Sequence, residues 1–193
     1  LHRWSEHYGN LFGEKRQVDE ESIDNIPQQD LKLNLDTPPT HEEIKSAISK
    51  LKCHKAPGID GIPAEVYKHG GAIVSEKLRD FFTACWTRGV VPHDLRDAVI
   101  VSLYKHKGVK SDCSNYRGVT LLSIAGKILA RVLLDRLIPS IAEENIPESQ
   151  CGFRANRGTA DMIFALRQIQ EKCREQNMGL YAAFLDLTKA FDT

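Results

Sequence analysis

The chain has 193 residues, 41% hydrophobic and 27% charged, with 26 Lys/Arg against 26 Asp/Glu. That length suits one ordinary domain, or one domain with part of another. The balanced charge argues against a generic polyanion binder. No apolar run approaches the roughly 18 residues of a membrane-spanning helix, so no such span is expected.

The charge is unevenly spread. Residues 1–43 hold 4 Lys/Arg against 10 Asp/Glu, and residues 96–136 hold 8 against 3. The basic block fits a phosphate-contacting surface and equally a solvated helix face. The cysteines, Cys53, Cys85, Cys113, Cys151 and Cys173, are never closer than 22 residues apart. They form no Cys-x-x-Cys pair, so no structural zinc is expected. An odd, scattered set without a signal peptide points to reduced thiols in an intracellular protein, nuclear or cytoplasmic rather than secreted. The chain begins with Leu1 and stops just past an apolar run, which reads as a piece of something longer.

Residues 1–39 are acidic and turn-rich, with a short helix expected over Trp4–Phe12 and Pro38-Pro39 closing the segment. Thr40 with Glu43 spells a capping box. Ile44, Ala47, Ile48 and Leu51 then recur at helical spacing and predict one core face. Ala56-Pro57-Gly58-Ile59-Asp60-Gly61 is a loop, Pro63 suits the start of a helix, and Gly70-Gly71 ends it. A helix is predicted from Ile73 to Arg88, with Phe81, Phe82, Cys85 and Trp86 inward, stopped by Gly89. Ala98–Tyr104 is a strand, and Lys105 to Asn115 a loop. A short strand or turn follows over Val119–Leu122. Ser123 caps a helix burying Ile128, Leu129, Val132 and Leu133, with Lys127, Arg131 and Arg136 solvated. Another helix is expected from about Thr159 to Gln176, with Ile163, Leu166, Ile169 and Cys173 on its apolar stripe. This order indicates an α+β or α/β arrangement with few local hairpins.

The last fifteen residues are the most telling. Gly179 opens them, the six apolar residues Leu180 to Leu185 follow, and Asp186 lands where a buried strand should end. A carboxylate inside such a strand costs several kcal/mol unless it is paired. A strand-end position facing a metal ion relieves that cost, and so does simple capping of a following turn. Two other stretches bear on ligand binding. Lys105, Lys107 and Lys110 with Arg117 offer point charges and a planar fork for a triphosphate, although composition alone favours a solvated loop. Gln150-Cys-Gly-Phe-Arg-Ala-Asn-Arg157 offers Gly152 for close approach, Phe153 for stacking, and Arg154 and Arg157 for phosphates. It also fits a plain turn leading into the helix capped at Thr159. A phosphatase-type nucleophile at Asp186 is discounted, because Thr188 stands where such enzymes place a second aspartate.

Phe184-Leu-Asp-Leu-Thr-Lys-Ala-Phe-Asp192 resembles the first catalytic motif of reverse transcriptases of non-LTR (LINE-type) retrotransposons. Lys55-Ala-Pro-Gly-Ile-Asp-Gly-Ile-Pro-Ala-Glu65, Leu95 to Lys105, Asn115-Tyr-Arg-Gly-Val-Thr-Leu-Leu122, and Gln150-Cys-Gly-Phe-Arg154 with Arg157 and Thr159 resemble further motifs, in the expected order. The resemblance runs from about Thr40 to the end. One departure is Gly118, where the family usually has proline; it is expected to loosen the start of that strand. The Leu-Thr-Lys-Ala-Phe-Asp wording favours retrotransposons over group II intron or telomerase relatives.

The resemblance implies an α+β, truncated right-hand polymerase, with mostly helical fingers and the first palm strand. Residues 1–39 would be a linker upstream of the polymerase, 40–178 the fingers and fingers–palm part, and 179–193 the first palm strand. The implied function is that of a fragment of an RNA-directed DNA polymerase, using Mg²⁺, or Mn²⁺ in its place, only in the complete enzyme. Its implied partners are template RNA, primer DNA and dNTP. Asp186 would be the catalytic metal ligand, assisted by the Leu187 carbonyl. Lys105 and Arg117 would grip the incoming triphosphate, and Phe191 would be the steric gate against a 2′-hydroxyl. Lys107, Lys110, Arg154 and Arg157 would lie toward the nucleic acid, while Asp192 would be structural. The family's Tyr-x-Asp-Asp motif is not among the 193 residues, so this stretch is expected to be inactive alone. The alternative is a non-catalytic RNA- or DNA-binding remnant of a decayed element.

Overall fold

The structure is a computed structural model describing residues 2–13, 20–27 and 30–187. The expectations placed on Thr188, Phe191 and Asp192 lie outside the described residues. In chain order the helices are α1 (His2–Gly13), α2 (Glu20–Asp24), α3 (His41–Ser49), α4 (Ala64–His69), α5 (Gly71–Arg88) and α6 (His93–Arg96). Strands β1 (Ala98–Tyr104) and β2 (Tyr116–Leu122) follow, then α7 (Ile124–Leu137), α8 (Glu143–Asn145) and α9 (Thr159–Glu175). The chain divides into two compact units, residues 17–140 and residues 1–16 with 141–193.

The first unit holds the core. Ile44, Ala47 and Ile48 of α3, Leu78 and Phe82 of α5, and Ile124, Ile128, Leu129 and Val132 of α7 are buried together with Ala64 and Leu95. Each large apolar side chain so buried contributes about 1.5–3 kcal/mol. The expected capping box at α3 forms: the Glu43 N–H donates to Thr40 Oγ1 at 3.3 Å, and the Thr40 N–H donates to Glu43 Oε2 at 2.7 Å. Ser123 caps α7 by accepting from the Gly126 N–H at 3.1 Å. Gly89, with φ at 64°, ends α5 as its N–H and that of Val90 turn back to the carbonyls of Trp86 and Cys85.

Six expectations change. Within α5, Phe82 is fully buried while Phe81 is exposed and Trp86 half-buried, because the inward face runs through Ser75, Leu78, Phe82 and Cys85. The β2 strand begins at Tyr116 and pairs antiparallel with β1 as a local hairpin. Gly118 sits inside that ladder opposite Ser102, so it does not loosen the start of the strand. The stripe of α9 is not buried: Ile163 and Ile169 are exposed. Leu180 to Leu187 form no strand, and Tyr181 is 99% and Leu185 93% exposed. A strand exists only where its N–H and C=O groups find a ladder, and β1–β2 is the only sheet among the described residues.

The sixth change is Arg136, expected to be solvated but with its side chain only 10% exposed. Its Nε donates to Glu43 Oε1 at 2.5 Å and its Nη2 to Glu43 Oε2 at 2.7 Å. The remaining N–H groups reach the carbonyls of Leu35, Thr37 and Pro38. All five guanidinium donors are thereby engaged. The guanidinium also lies over the Trp86 ring, 5.5 Å from its centroid. Hydrogen bonding from Arg136 holds the Glu43 carboxyl at about 2, against an ordinary value of 4.5. A lowered folded-state pKa stabilises above the unfolded value, and that stability fades as pH falls from about 4.5 toward 2. Discounted for partial exposure, the loss should be about 2 kcal/mol. Thermal melts across this pH range should show wild type losing that much more than Glu43→Gln, which should be the less stable protein at neutral pH. Parallel curves would show that the pair carries no acid sensitivity.

Candidate nucleic-acid interface

The hairpin loop between β1 and β2 is held by its own side chains. The Lys105 N–H closes it on the Asn115 carbonyl at 2.9 Å. Tyr104 Oη donates to the Gly108 carbonyl at 2.6 Å and Tyr116 Oη to the Lys110 carbonyl at 3.0 Å. Asn115 Nδ2 donates to the Val109 carbonyl at 3.0 Å, and Asp112 caps the Cys113–Asn115 turn through the Ser114 N–H. Gly108 takes φ of 79°, and a Cβ there would lie 2.5 Å from the Asn115 side chain. Only glycine meets both demands.

This loop presents the cations. Lys105 Nζ donates to the Ser114 carbonyl at 3.0 Å, Lys110 Nζ lies 5.7 Å from the Tyr104 ring centroid, and Lys107 is exposed. Arg117, opposite Leu103, is exposed and makes no ion pair with the described residues. Strand alternation puts Lys105 and Arg117 on one face, beside the exposed Val99, Val101, Leu103 and Val119. Elsewhere in the basic block two arginines are paired within the protein, whereas Arg96 is exposed beside His93. Arg131 and Lys50 pair with Asp135 at 2.9 and 2.8 Å, and Arg136 is bound to Glu43. The hairpin thus groups four exposed cations, Lys105, Lys107, Lys110 and Arg117.

The base of the hairpin is braced by the loop before α4. A Cβ on Gly58 would lie 2.5 Å from the Ser123 nitrogen and 2.8 Å from the Leu122 carbonyl carbon. The loop backbone therefore rests directly on the joint between β2 and α7, a contact the sequence reading did not assign.

In the second unit, Gln150 to Arg157 forms a tied loop. Arg154 is only 6% exposed and pairs with Glu143 at 2.9 Å. Its Nη1 donates to the Pro147 and Gln150 carbonyls at 3.0 and 3.4 Å. It was expected to reach a nucleic-acid backbone, but here it holds the loop together. Arg157, 40% exposed, pairs with Glu148 at 2.9 Å. The hydrogen bond from Arg157 holds the Glu148 carboxyl below its ordinary value. Asp186 and Leu187 stand exposed on the unpaired tail. No three His, Cys, Asp or Glu side chains converge among the described residues. One carboxylate does not make a two-metal centre, so the described residues do not by themselves fit one.

Residues 105–193 match the family described as "Reverse transcriptase (RNA-dependent DNA polymerase)". The chain is 31% identical over 154 residues to the "RNA-directed DNA polymerase from mobile element jockey" of Drosophila melanogaster, covering 79% of this chain and 17% of that protein. It is 30% identical over 190 residues to the "Transposon TX1 uncharacterized 149 kDa protein" of Xenopus laevis, covering 96% and 14%. It is 31% identical over 169 residues to the "Putative 115 kDa protein in type-1 retrotransposable element R1DM" of Drosophila melanogaster, covering 81% and 15%. The class these matches define is that of the reverse transcriptases. Within it, the chain is similar to proteins of non-LTR, LINE-type elements. It spans 14–17% of the length of these three relatives.

Two glycines test the brace. Gly58→Ala should destabilise by about 1–3 kcal/mol, because its methyl meets backbone that cannot yield. Gly61→Ala, at φ of 67° with nothing within 4 Å, should cost only about 1 kcal/mol. Urea titrations would rank the two, and equal midpoints would remove the brace.

Proposed function

We propose that the protein containing this stretch copies RNA into DNA, the stretch forming fingers and the opening of the palm of a right-hand polymerase. The rigid hairpin, with four outward cations beside an open apolar face, carries this reading. Lys105 and Arg117 grip the triphosphate of an incoming dNTP, the guanidinium as a bidentate fork and the ammonium as a point charge. Lys107 and Lys110 face the nucleic-acid backbone, and Arg157 offers a second contact. Asp186 with the Leu187 carbonyl would hold one side of a Mg²⁺ ion, which would supply Lewis-acid stabilisation only with further carboxylates. Phe191 excludes a 2′-hydroxyl. The template RNA and primer DNA are the partners this chemistry calls for.

A second reading has its own support. Asp186 is the one carboxylate assigned to the chemistry, and no metal-holding group of carboxylates forms among the described residues, so the stretch suits an RNA-binding module without catalysis. Both readings require salt-sensitive binding. The 193-residue chain should bind single-stranded RNA, and changing Lys105, Lys107, Lys110 and Arg117 together to Ala should flatten the log–log salt slope by about 3. An unchanged slope would move the binding surface off the hairpin.

Primer extension separates the two readings. The chain alone should extend no RNA-templated primer. In the full-length polymerase containing this stretch, Asp186→Asn should abolish incorporation, and Phe191→Val should admit ribonucleotides while deoxynucleotide incorporation persists. A dNTP/rNTP ratio of kcat/KM that stays constant while activity falls would make Phe191 a packing residue.

A further inference from the structure

The hairpin loop contains an imidazole to which the roles proposed above give no task. His106 lies between Lys105 and Lys107, is exposed, and has φ of 56°. Histidine enters the left-handed region more readily than most residues, so the turn accommodates it. Its ring is held from one side by Tyr104, whose ring centroid lies 5.4 Å away at an interplanar angle of 57°. Tyr104 is itself fixed, by its hydroxyl on the Gly108 carbonyl at 2.6 Å and by the Tyr116 ring at 5.2 Å. Lys110 Nζ stands 5.7 Å from the same Tyr104 centroid. One phenol ring thus gathers an imidazole and an ammonium in the loop.

Three other histidines have polar partners within the fold. His41 Nε2 lies 2.9 Å from Ser75 Oγ, His54 Nδ1 3.8 Å from Glu65, and His93 Nδ1 3.7 Å from Asp97. The ring nitrogens of His106 have no hydrogen-bond or ion-pair partner among the described residues. Its surroundings are cationic instead. Lys105 and Lys107 flank it in the chain, Lys110 shares its platform, and Arg117 stands on β2. The one carboxylate in the loop, Asp112, accepts from the Ser114 N–H at 2.9 Å and from the Ser114 hydroxyl at 2.7 Å. The other titratable groups of the loop and its strand ends are the Cys113 thiol and the phenols of Tyr104 and Tyr116, both of which donate to loop carbonyls. A charged imidazole in this company meets mostly like charge, whereas an anion resting on the loop attracts every cation in it.

We propose that His106 is a phosphate contact that acts in its protonated form, adding a fifth cation to the hairpin's grip on an RNA backbone as pH falls. The proposal rests on the nucleic-acid reading above and gives that surface a dependence on pH. An anion beside an imidazole favours the charged ring, so proton uptake and RNA binding support each other. Lysine and arginine carry their charge throughout the range in which imidazoles ordinarily change theirs. Acid therefore strengthens the hairpin through His106.

The test uses the 193-residue chain and a short oligouridylate carrying a rhodamine dye, since neither uracil nor the dye titrates between pH 5.5 and 7.5. Anisotropy is read across a salt series at both ends of that range. Wild type should bind about three- to tenfold tighter at pH 5.5, with a log–log salt slope steeper by about 0.7. His106→Asn, which suits the left-handed backbone, should lose most of both gains. His106→Lys should bind at both pH values as wild type does at pH 5.5. An equal acid gain in His106→Asn would assign it to another group and overturn the proposal, as would weak binding by His106→Lys at both pH values. Unlabelled dTTP should displace the RNA equally well from wild type and His106→Asn at pH 5.5. Stronger displacement from wild type would assign the imidazole to a triphosphate and overturn the backbone contact. If the fourfold alanine variant flattens the salt slope at pH 7.5 while wild type shows no acid gain, the role of His106 falls and the nucleic-acid reading stands. If wild type binds no RNA at either pH, both fall.

Discussion

The bidentate pair between Arg136 and Glu43 joins more of the first unit than any other polar contact. Apolar burial drives α3, α5 and α7 together, but it is non-directional and leaves their register loose. The planar guanidinium is directional. Through Glu43 it fixes the first turn of α3, whose capping box uses the same carboxylate. Through three carbonyls it fixes the strap Leu35 to Pro38, and its face lies on Trp86 of α5. Replacing the whole pair by apolar groups need not weaken such a site, whereas removing one partner leaves the other charge stranded. What the pair provides is position.

That position is passed on to the hairpin. With α7 fixed, Ser123 at its start and Leu122 at the end of β2 are fixed too, and the backbone at Gly58 rests on both. The hairpin rises from this joint, and its loop is tied by Tyr104, Asn115 and Tyr116 rather than by packing. Its lysines and Arg117 can therefore remain in solvent and still be held in place. Preorganisation of this kind lowers the ordering cost of binding a charged ligand.

The two arginine-bearing stretches divide the labour differently. On the hairpin, tyrosine and asparagine hydroxyls and amides hold the loop, so the cations stay outward. In the loop from Gln150 to Arg157, Arg154 is itself the tie and is lost to direct contact. Arg157, paired with Glu148, keeps part of its side chain in solvent.

Local chemistry was legible in the sequence because its causes lie within a few residues. The Thr40–Glu43 box, the Ser123 cap, the Gly89 stop and the span of β1 each follow from neighbouring side chains or backbone freedom, and each appears where the sequence puts it. The family was legible because its motifs are contiguous words in the chain. Burial and pairing were not, since both depend on residues far away in sequence. Periodicity could not tell Phe81 from Phe82, because the inward face of α5 is chosen by α3 and α7. Arg136 reads as a solvated last-turn cation until Glu43, 93 residues earlier, comes against it. The apolar run from Leu180 to Leu185 carries a strand's composition, but a strand is a property of two chains of backbone groups, and the described residues offer it no ladder. The sequence determined which local elements form and which family's motifs the chain carries. Only the tertiary structure decided which charges are spent on the fold and which are left for a ligand, because that choice turns on contacts between distant residues.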